Sequence, residues 1–205
     1  MKKMKYEIKL KAVVKDRNGK IISENEQKCN TFVKNFLLLL NAAFRLSYST
    51  VVDTGGTAQN AGAKYYYSEW GHYSYSLCGI GGWAPSAGEG DDSFGIVIGT
   101  GDTPVTADDY NLESKIAHGT GAGQLSYGAV TLYDPDIVDS NKTRQRIMRS
   151  FTNNSGADIT VKEIGLIVKT SGDDYLVMVL RDVIVATTVP DGGTLDLYLD
   201  ITTTA

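Results

Sequence analysis

Cysteine and histidine are almost missing from this chain of 205 residues, with two of each. Cys29 and Cys78 are too few for a disulfide framework, and their spacing leaves open whether they pair. Two reduced thiols in a protein made in a cytoplasm is the simpler expectation. His72 and His118 belong to no Ser-His-Asp or Cys-His spacing that points to nucleophilic catalysis. A zinc site at His72 has only Glu69 and Cys78 near it in sequence, which is too few ligands. A basic excess is lacking as well. The formal net charge is −4, and nucleic-acid binding calls for a basic face. Long apolar runs are also wanting: FVKNFLLLLNAAF is too short to span a bilayer and carries Lys34. The charged start leads into no apolar segment of the kind a secretory signal needs. These absences predict no nucleic acid, membrane, metal or cofactor partner.

The residues that are present are arranged for strands and turns. Basic residues cluster early, at Lys2, Lys3, Lys5, Lys9, Lys11, Lys15, Arg17 and Lys20. They alternate with Tyr6, Ile8, Leu10 and Ala12, which predicts the wet face of a strand. Asn18-Gly19 supplies the turn of a hairpin, and Ile21-Ile22 begin its return. A helix is predicted next, over 31–46, with Phe32, Val33, Phe36, Leu37, Leu40, Ala43 and Phe44 as its apolar face. Leu38 and Leu39 make it apolar nearly all round, so it is expected to be buried in the fold or between subunits.

The stretch GIVIGTGDTPVTADDYNLESKIAHGTG, 95–121, has the strand, glycine turn and apparent helix of a nucleotide site. Counting from Gly99, the third glycine of a dinucleotide fingerprint is replaced by Pro104. After Gly101 come Asp102 and Thr103 rather than the lysine of a phosphate loop. The expectation is therefore a short helix of about three turns hung between strands. Thr106 and Asp109 form a cap, Leu112 and Ile116 share a face, His118 lies at the negative pole and Gly119 is the stop.

Residues 53–63 have no periodicity. Then KYYYSEWGHYSYS gathers Tyr65, Tyr66, Tyr67, Trp70, Tyr73 and Tyr75, and a glycine-rich stretch follows with Trp83 inside it. The region 50–93 reads as a long insertion. Its rings offer broad amphipathic contact area, suited to a subunit contact, to packing over their own loop, or to a glycan. From Phe94 onward strands are expected at Leu125–Leu132, Thr143–Thr152, Ile159–Thr170, Tyr175–Ala186 and Thr194–Thr202. A bulge is predicted near Lys162-Glu163, and a close backbone approach at Gly165. In the last strand Leu195, Leu197, Leu199 and Ile201 face the core, with Asp196, Tyr198 and Asp200 outward. Paired carboxylates at Asp91-Asp92, Asp108-Asp109 and Asp173-Asp174 sit in predicted turns or at the helix start, as solvated loops or caps. In DPDIVDSN, 134–141, the oxygens lack the glycine and terminal glutamate of a calcium loop.

The whole is one mainly β domain over 1–205: an antiparallel β-sandwich with one N-terminal buried helix, one short helix and a long aromatic and glycine-rich insertion. Residues 1–49 form a hairpin plus helix, 50–93 the insertion, and 94–205 the sandwich core. The 94–202 block, with RSFTNNSGADITVKEIGLIV and VPDGGTLDLYLDITTT, and the N-terminal VKDRNGKIISENEQKCNTFVKNFLLLLNAAF resemble virion structural proteins of tailed bacteriophages and related prokaryotic viruses. That resemblance implies a non-enzymatic building block located in the virion and assembled in the host cytoplasm. Decoration of the capsid shell is the first expectation. A tail or tail-fibre protein, or a glycan- or receptor-binding adhesin, is the alternative. The expected partners are further copies of the chain, as a trimer, and other virion proteins such as the major capsid protein. The expected contact residues are Tyr65, Tyr66, Tyr67, Trp70, Tyr73, Tyr75, Trp83, Phe36, Leu38 and Leu39.

Overall fold

The computed structural model describes residues 5–29, 32–45, 47–62, 65–67, 73–75, 83–170 and 174–204. In chain order the elements are β1 (Lys5–Lys15), β2 (Ile21–Cys29), α1 (Lys34–Arg45), β3 (Tyr48–Val52), β4 (Ala58–Gly62), β5 (Tyr65–Tyr67), β6 (Tyr73–Tyr75), β7 (Trp83–Ala84) and β8 (Gly95–Gly99). There follow β9 (Ser126–Tyr127), β10 (Thr131–Leu132), β11 (Asp136–Asp139), β12 (Lys142–Thr152), β13 (Ile159–Thr170), β14 (Leu176–Val189) and β15 (Thr194–Thr204). The first large sheet runs β10-β12-β15-β1-β2, with β9 and β11 also paired to β12. The second runs β14-β13-β7, with β8 also on β13. The ladders between these strands are antiparallel. The fold is mainly β, and side chains from both large sheets meet in one hydrophobic core.

Period-two alternation sets the first sheet's two faces. Ile8, Leu10, Ala12 and Val14 of β1 are buried with Ile147 and Phe151 of β12 and Leu195, Leu197 and Leu199 of β15. The opposite face is a charge lattice. Lys9 pairs with Glu26 at 2.7 Å, Lys11 with Glu24 at 2.8 Å, and Arg146 with Asp200 at 2.7 Å. Lys28 meets Glu7, and Arg144 meets Asp136. Of the early lysines, Lys9, Lys11 and Lys15 are thus each answered by an acidic residue of a neighbouring strand. Asp196, expected to face outward into water, is only 4% exposed, because Lys15 and Ser150 close over its carboxylate.

The second sheet is built on β13, which is flanked by β14 on one side and by β7 and β8 on the other. The β13–β14 register shifts between Val161 and Glu163, where the bulge was expected, and again between Leu166 and Ile167. At Gly165 the close approach comes from side chains: a Cβ there would lie 2.9 Å from Met178 and 3.1 Å from Leu112.

Three local expectations need correction. The short helix over 106–119 does not form; the segment is a run of turns with bridges from Lys115 to Gly99 and from His118 to Leu125. Its backbone donors are taken by partners outside the segment. Glu113 and Ser114 donate to Glu163, Ile116 donates to Ile98, and His118 donates to Asp92. The Thr106–Asp109 cap does form, but only as a single turn. Residues 53–63, which show no periodicity, include the second strand of a β3–β4 hairpin. Asp53 closes it by accepting from the amides of Gly55 and Thr57, with Gly56 at φ 80°.

The third correction concerns α1. The face buried in the chain is Asn35, Leu39 and Ala42, whereas Leu37 and Phe44, expected to be buried in the fold or between subunits, are 63% and 80% exposed in the single chain. Asn35 fixes this rotation. Its amide donates to the Val52 carbonyl at 2.8 Å and its oxygen accepts from the Val52 amide at 3.0 Å. Docked through that pair on the edge of β3, the helix turns Leu39 inward and Leu37 outward. Among the described residues no helix is long and apolar enough to cross a membrane.

Candidate interaction surface

The glycine loop after β8 does cradle an anion, and the anion is the protein's own. Glu163, placed by the bulge in β13, is fully buried. Its Oε1 accepts from the amides of Gly101 at 3.1 Å and Ser114 at 2.7 Å. Its Oε2 accepts from the amide of Glu113 at 3.1 Å and from Arg181 Nε at 3.0 Å. A Cβ on Gly99 would fall 2.5 Å from Glu163 Oε1 and from the Ser114 carbonyl, and one on Gly101 would fall 2.6 Å from Glu163 Oε1. The glycines are therefore there to let the backbone close on this carboxylate.

Arg181 of β14 completes the cluster. It is 3% exposed, donates to Asp109 at 2.8 Å and reaches Thr103. Burial works against its charge, yet the bonds to Asp109 and Glu163 outweigh that and hold its pKa above the ordinary value. For Asp109 burial works the other way from its bonds too. Arg181 and Thr106 win, keeping the carboxyl below the usual carboxylate range. The Asp108-Asp109 pair is thus divided: Asp109 is structural, and Asp108 is exposed beside Lys34 at 3.6 Å.

A second buried cation, Arg149 of β12, sits on the core face with Ile147 and Phe151. It is 0% exposed and donates to five carbonyls: Gly128, Phe94, Ile96, Gly88 and Asp91. Its guanidinium lies 4.8 Å from the centre of the Tyr127 ring. Burial lowers its pKa. Other polar residues singled out from sequence hold loops and edges. Asp91 caps Ser93, and Asp92 takes Lys115 and the His118 amide. His118, expected at a helix end, instead accepts the Tyr127 amide on Nδ1 at 3.0 Å. Asp136 is bound by Arg144, and Asp139 caps Asn141. Among the described residues every buried side-chain nitrogen or oxygen has a hydrogen-bond partner, and no three His, Cys, Asp or Glu side chains converge as a metal would need. Cys29 is buried, and burial, with Asp182 beside it, pushes its thiol pKa well up, away from reactivity.

The four most exposed large apolar side chains among the described residues are Phe44, Ile137, Tyr6 and Leu37. Phe44, Leu37 and Tyr48 form one outward group on and just beyond α1, while Tyr6 and Ile137, 72% and 80% exposed, project from one end of the first sheet. The β ladders set Ile137 opposite Thr143, Thr143 opposite Thr203, and Thr203 opposite Tyr6, so these residues share one line across the sheet. Of the contact residues read from sequence, Leu39 is 3% exposed and belongs to the chain's own core. Leu38 and Phe36 are half-buried, and Phe36 stacks on Phe32 at 3.8 Å. Strands β5 and β6 pair Tyr65 with Tyr75, Tyr66 with Ser74, and Tyr67 with Tyr73; Trp83 pairs with Thr170. Trp70, His72, Cys78 and Asp173 lie outside the described residues. Sequence reasoning missed Glu163, Arg181 and Arg149 as organising residues. A charged residue inside an alternating apolar strand face, as at Arg149, was the available signal.

No protein-family model, curated protein or solved structure matches this chain.

Proposed function

We propose that the chain is a non-enzymatic structural component of a virus particle, a capsid decoration protein that binds the shell and copies of itself. One observation carries the reading. Among the described residues the buried polar side chains are all hydrogen-bonded within the fold, while large apolar side chains, Phe44 and Ile137 foremost, stand in solvent. A contiguous exposed apolar patch in a stable fold marks a surface that other molecules cover. A long-stranded antiparallel sheet with a neutralised charge lattice on its outer face suits a part that must be soluble before assembly and fixed after it.

Negative-stain microscopy of the particle, labelled with antibody against this chain, tests the proposal. Regular label over the shell is the expected result. Label confined to the tail assigns the chain to the tail or its fibres instead, and particles without label overturn the virion reading.

A further inference from the structure

At 14 residues β14 is the longest strand described, and it ends its sheet. Its last seven residues, 183–189, read VIVATTV, β-branched but for one alanine and with no charge, proline or glycine. A strand of that composition with an open edge is a template for a second copy of itself. Other edges of the two large sheets are blunted in ordinary ways. Strand β2 carries Glu24, Glu26 and Lys28, and β7, β9 and β10 are two residues long each.

The chain covers the edge of β14 with its own groups. Upstream, the Val33 amide donates to the Val179 carbonyl at 3.1 Å and Phe32 bridges to Leu180. Further along, Gln27 of β2 reaches across from the other large sheet. Its Nε2 donates to the Val183 carbonyl at 3.3 Å, and its Oε1 accepts from the Val185 amide at 2.8 Å. A carbonyl and an amide two residues apart on one strand are what a residue of an added strand engages. The Val185 carbonyl is taken as well, by the Thr187 hydroxyl at 2.8 Å. The ladder to β13 bulges at the same place, with 184–186 standing against Lys162 alone. Position 27 lies opposite Leu10 and two residues before the buried Cys29, on the inward side of β2, where an apolar residue would continue the alternation. Val185 is 59% exposed, so water would serve its backbone groups without help. The carboxamide is thus not needed to satisfy the edge; what it does is occupy it.

We infer that Gln27 is a guard on the edge of β14: its carboxamide takes the bonds that the 183–189 strand of a second copy would otherwise make, and so stops one sheet from growing onto the next. This goes beyond the proposed function and does not depend on it. Whatever contacts the chain makes with its own copies are steered away from this strand edge.

Sedimentation velocity of the full chain over a concentration series tests it, with circular dichroism as the check on folding. Gln27→Ala, and Gln27→Met as the variant that keeps the side chain's bulk, should fold as wild type does. Both should associate more strongly than wild type, by about tenfold, the net worth of the edge bonds opened to a second copy. Hydrogen exchange locates the contact: the Val185 amide should exchange faster than in wild type at low concentration and be protected again in the associated form. Val185→Lys, which places a charge on the exposed bulge, should abolish the gain when added to either variant. Variants that associate no more than wild type overturn the inference. So does a gain that survives Val185→Lys, or an associated form in which the Val185 amide stays open, since the contact then lies elsewhere. Loss of the fold in both Gln27 variants also overturns it, and makes Gln27 a tie between the sheets rather than a guard.

Discussion

Both oxygens of Glu163 are ringed by donors, from Gly101 and Ser114 on one side and Glu113 and Arg181 on the other. An amide in its place turns an NH2 group toward donors in either orientation and leaves Arg181 buried with one fewer counter-charge. Glu163→Gln is therefore expected to cost about 3–5 kcal/mol, read by chemical denaturation. Arg149 makes its five carbonyl bonds through a planar fork that an ammonium cannot copy. Arg149→Lys should cost roughly 2–4 kcal/mol, seen as a fall in Tm of about 5–15 °C. Part of this is legible in sequence: TRQRIMRSFT alternates, and Arg149 falls in phase with Ile147 and Phe151. That the cation belongs inside is not legible, because the carbonyls it satisfies come from residues 88–96 and 128, more than twenty positions away. Glu163 is hidden for the same reason, since the amides around it lie some fifty to sixty residues upstream.

Among the elements, the 99–118 loop shows how tertiary bonds override a local pattern. Its cap residues and its i, i+4 apolar pair favour a helix, yet Glu163, Ile98 and Asp92 take the donors that helix would use. Long alternating strands such as β12 were readable because burial of one face enforces their period. The pH response of the loop follows from its carboxylates. Asp109 and Asp92 are held below their ordinary values in the fold despite burial, by Arg181 and Thr106 and by the His118 amide and Lys115. The unfolded chain takes up protons first, so this stabilisation is full above about pH 4 and is lost as pH falls through the folded values. Limited proteolysis at Lys115 should be unchanged between about pH 5 and 8 and should accelerate below about pH 4; opening of the loop near neutrality would contradict this. Helix α1 separates its two faces by experiment. Leu39→Ser removes a core side chain and should cost at least the ~2–5 kcal/mol of a buried leucine truncation. Phe44→Ser should leave the denaturation midpoint within about 0.5 kcal/mol of wild type, as an exposed position does.

For the molecule as a whole, the proposed function makes the sandwich a mount for exposed apolar side chains. One face of its first sheet is a self-neutralised charge lattice, its buried polar groups bind loops to strands, and its four most exposed large apolar side chains among the described residues sit on α1 and at one sheet end. The sheet-end row also illustrates the limits of a sequence pattern. Tyr6 and Ile8 read as equivalent members of one alternating face, but Ile8 is 4% exposed and Tyr6 72%. Alternation tells which face a residue takes and says nothing about how far the opposing sheet reaches. The central claim is that this chain acts through those apolar surfaces, and hydroxyl-radical footprinting of the free and the particle-bound chain tests it most directly. Leu37, Phe44, Tyr48, Tyr6 and Ile137 should all be reactive in the free chain, and at least the α1 group should be shielded on assembly. Unchanged reactivity of these side chains in the assembled particle, with shielding confined to polar loop residues, would contradict it.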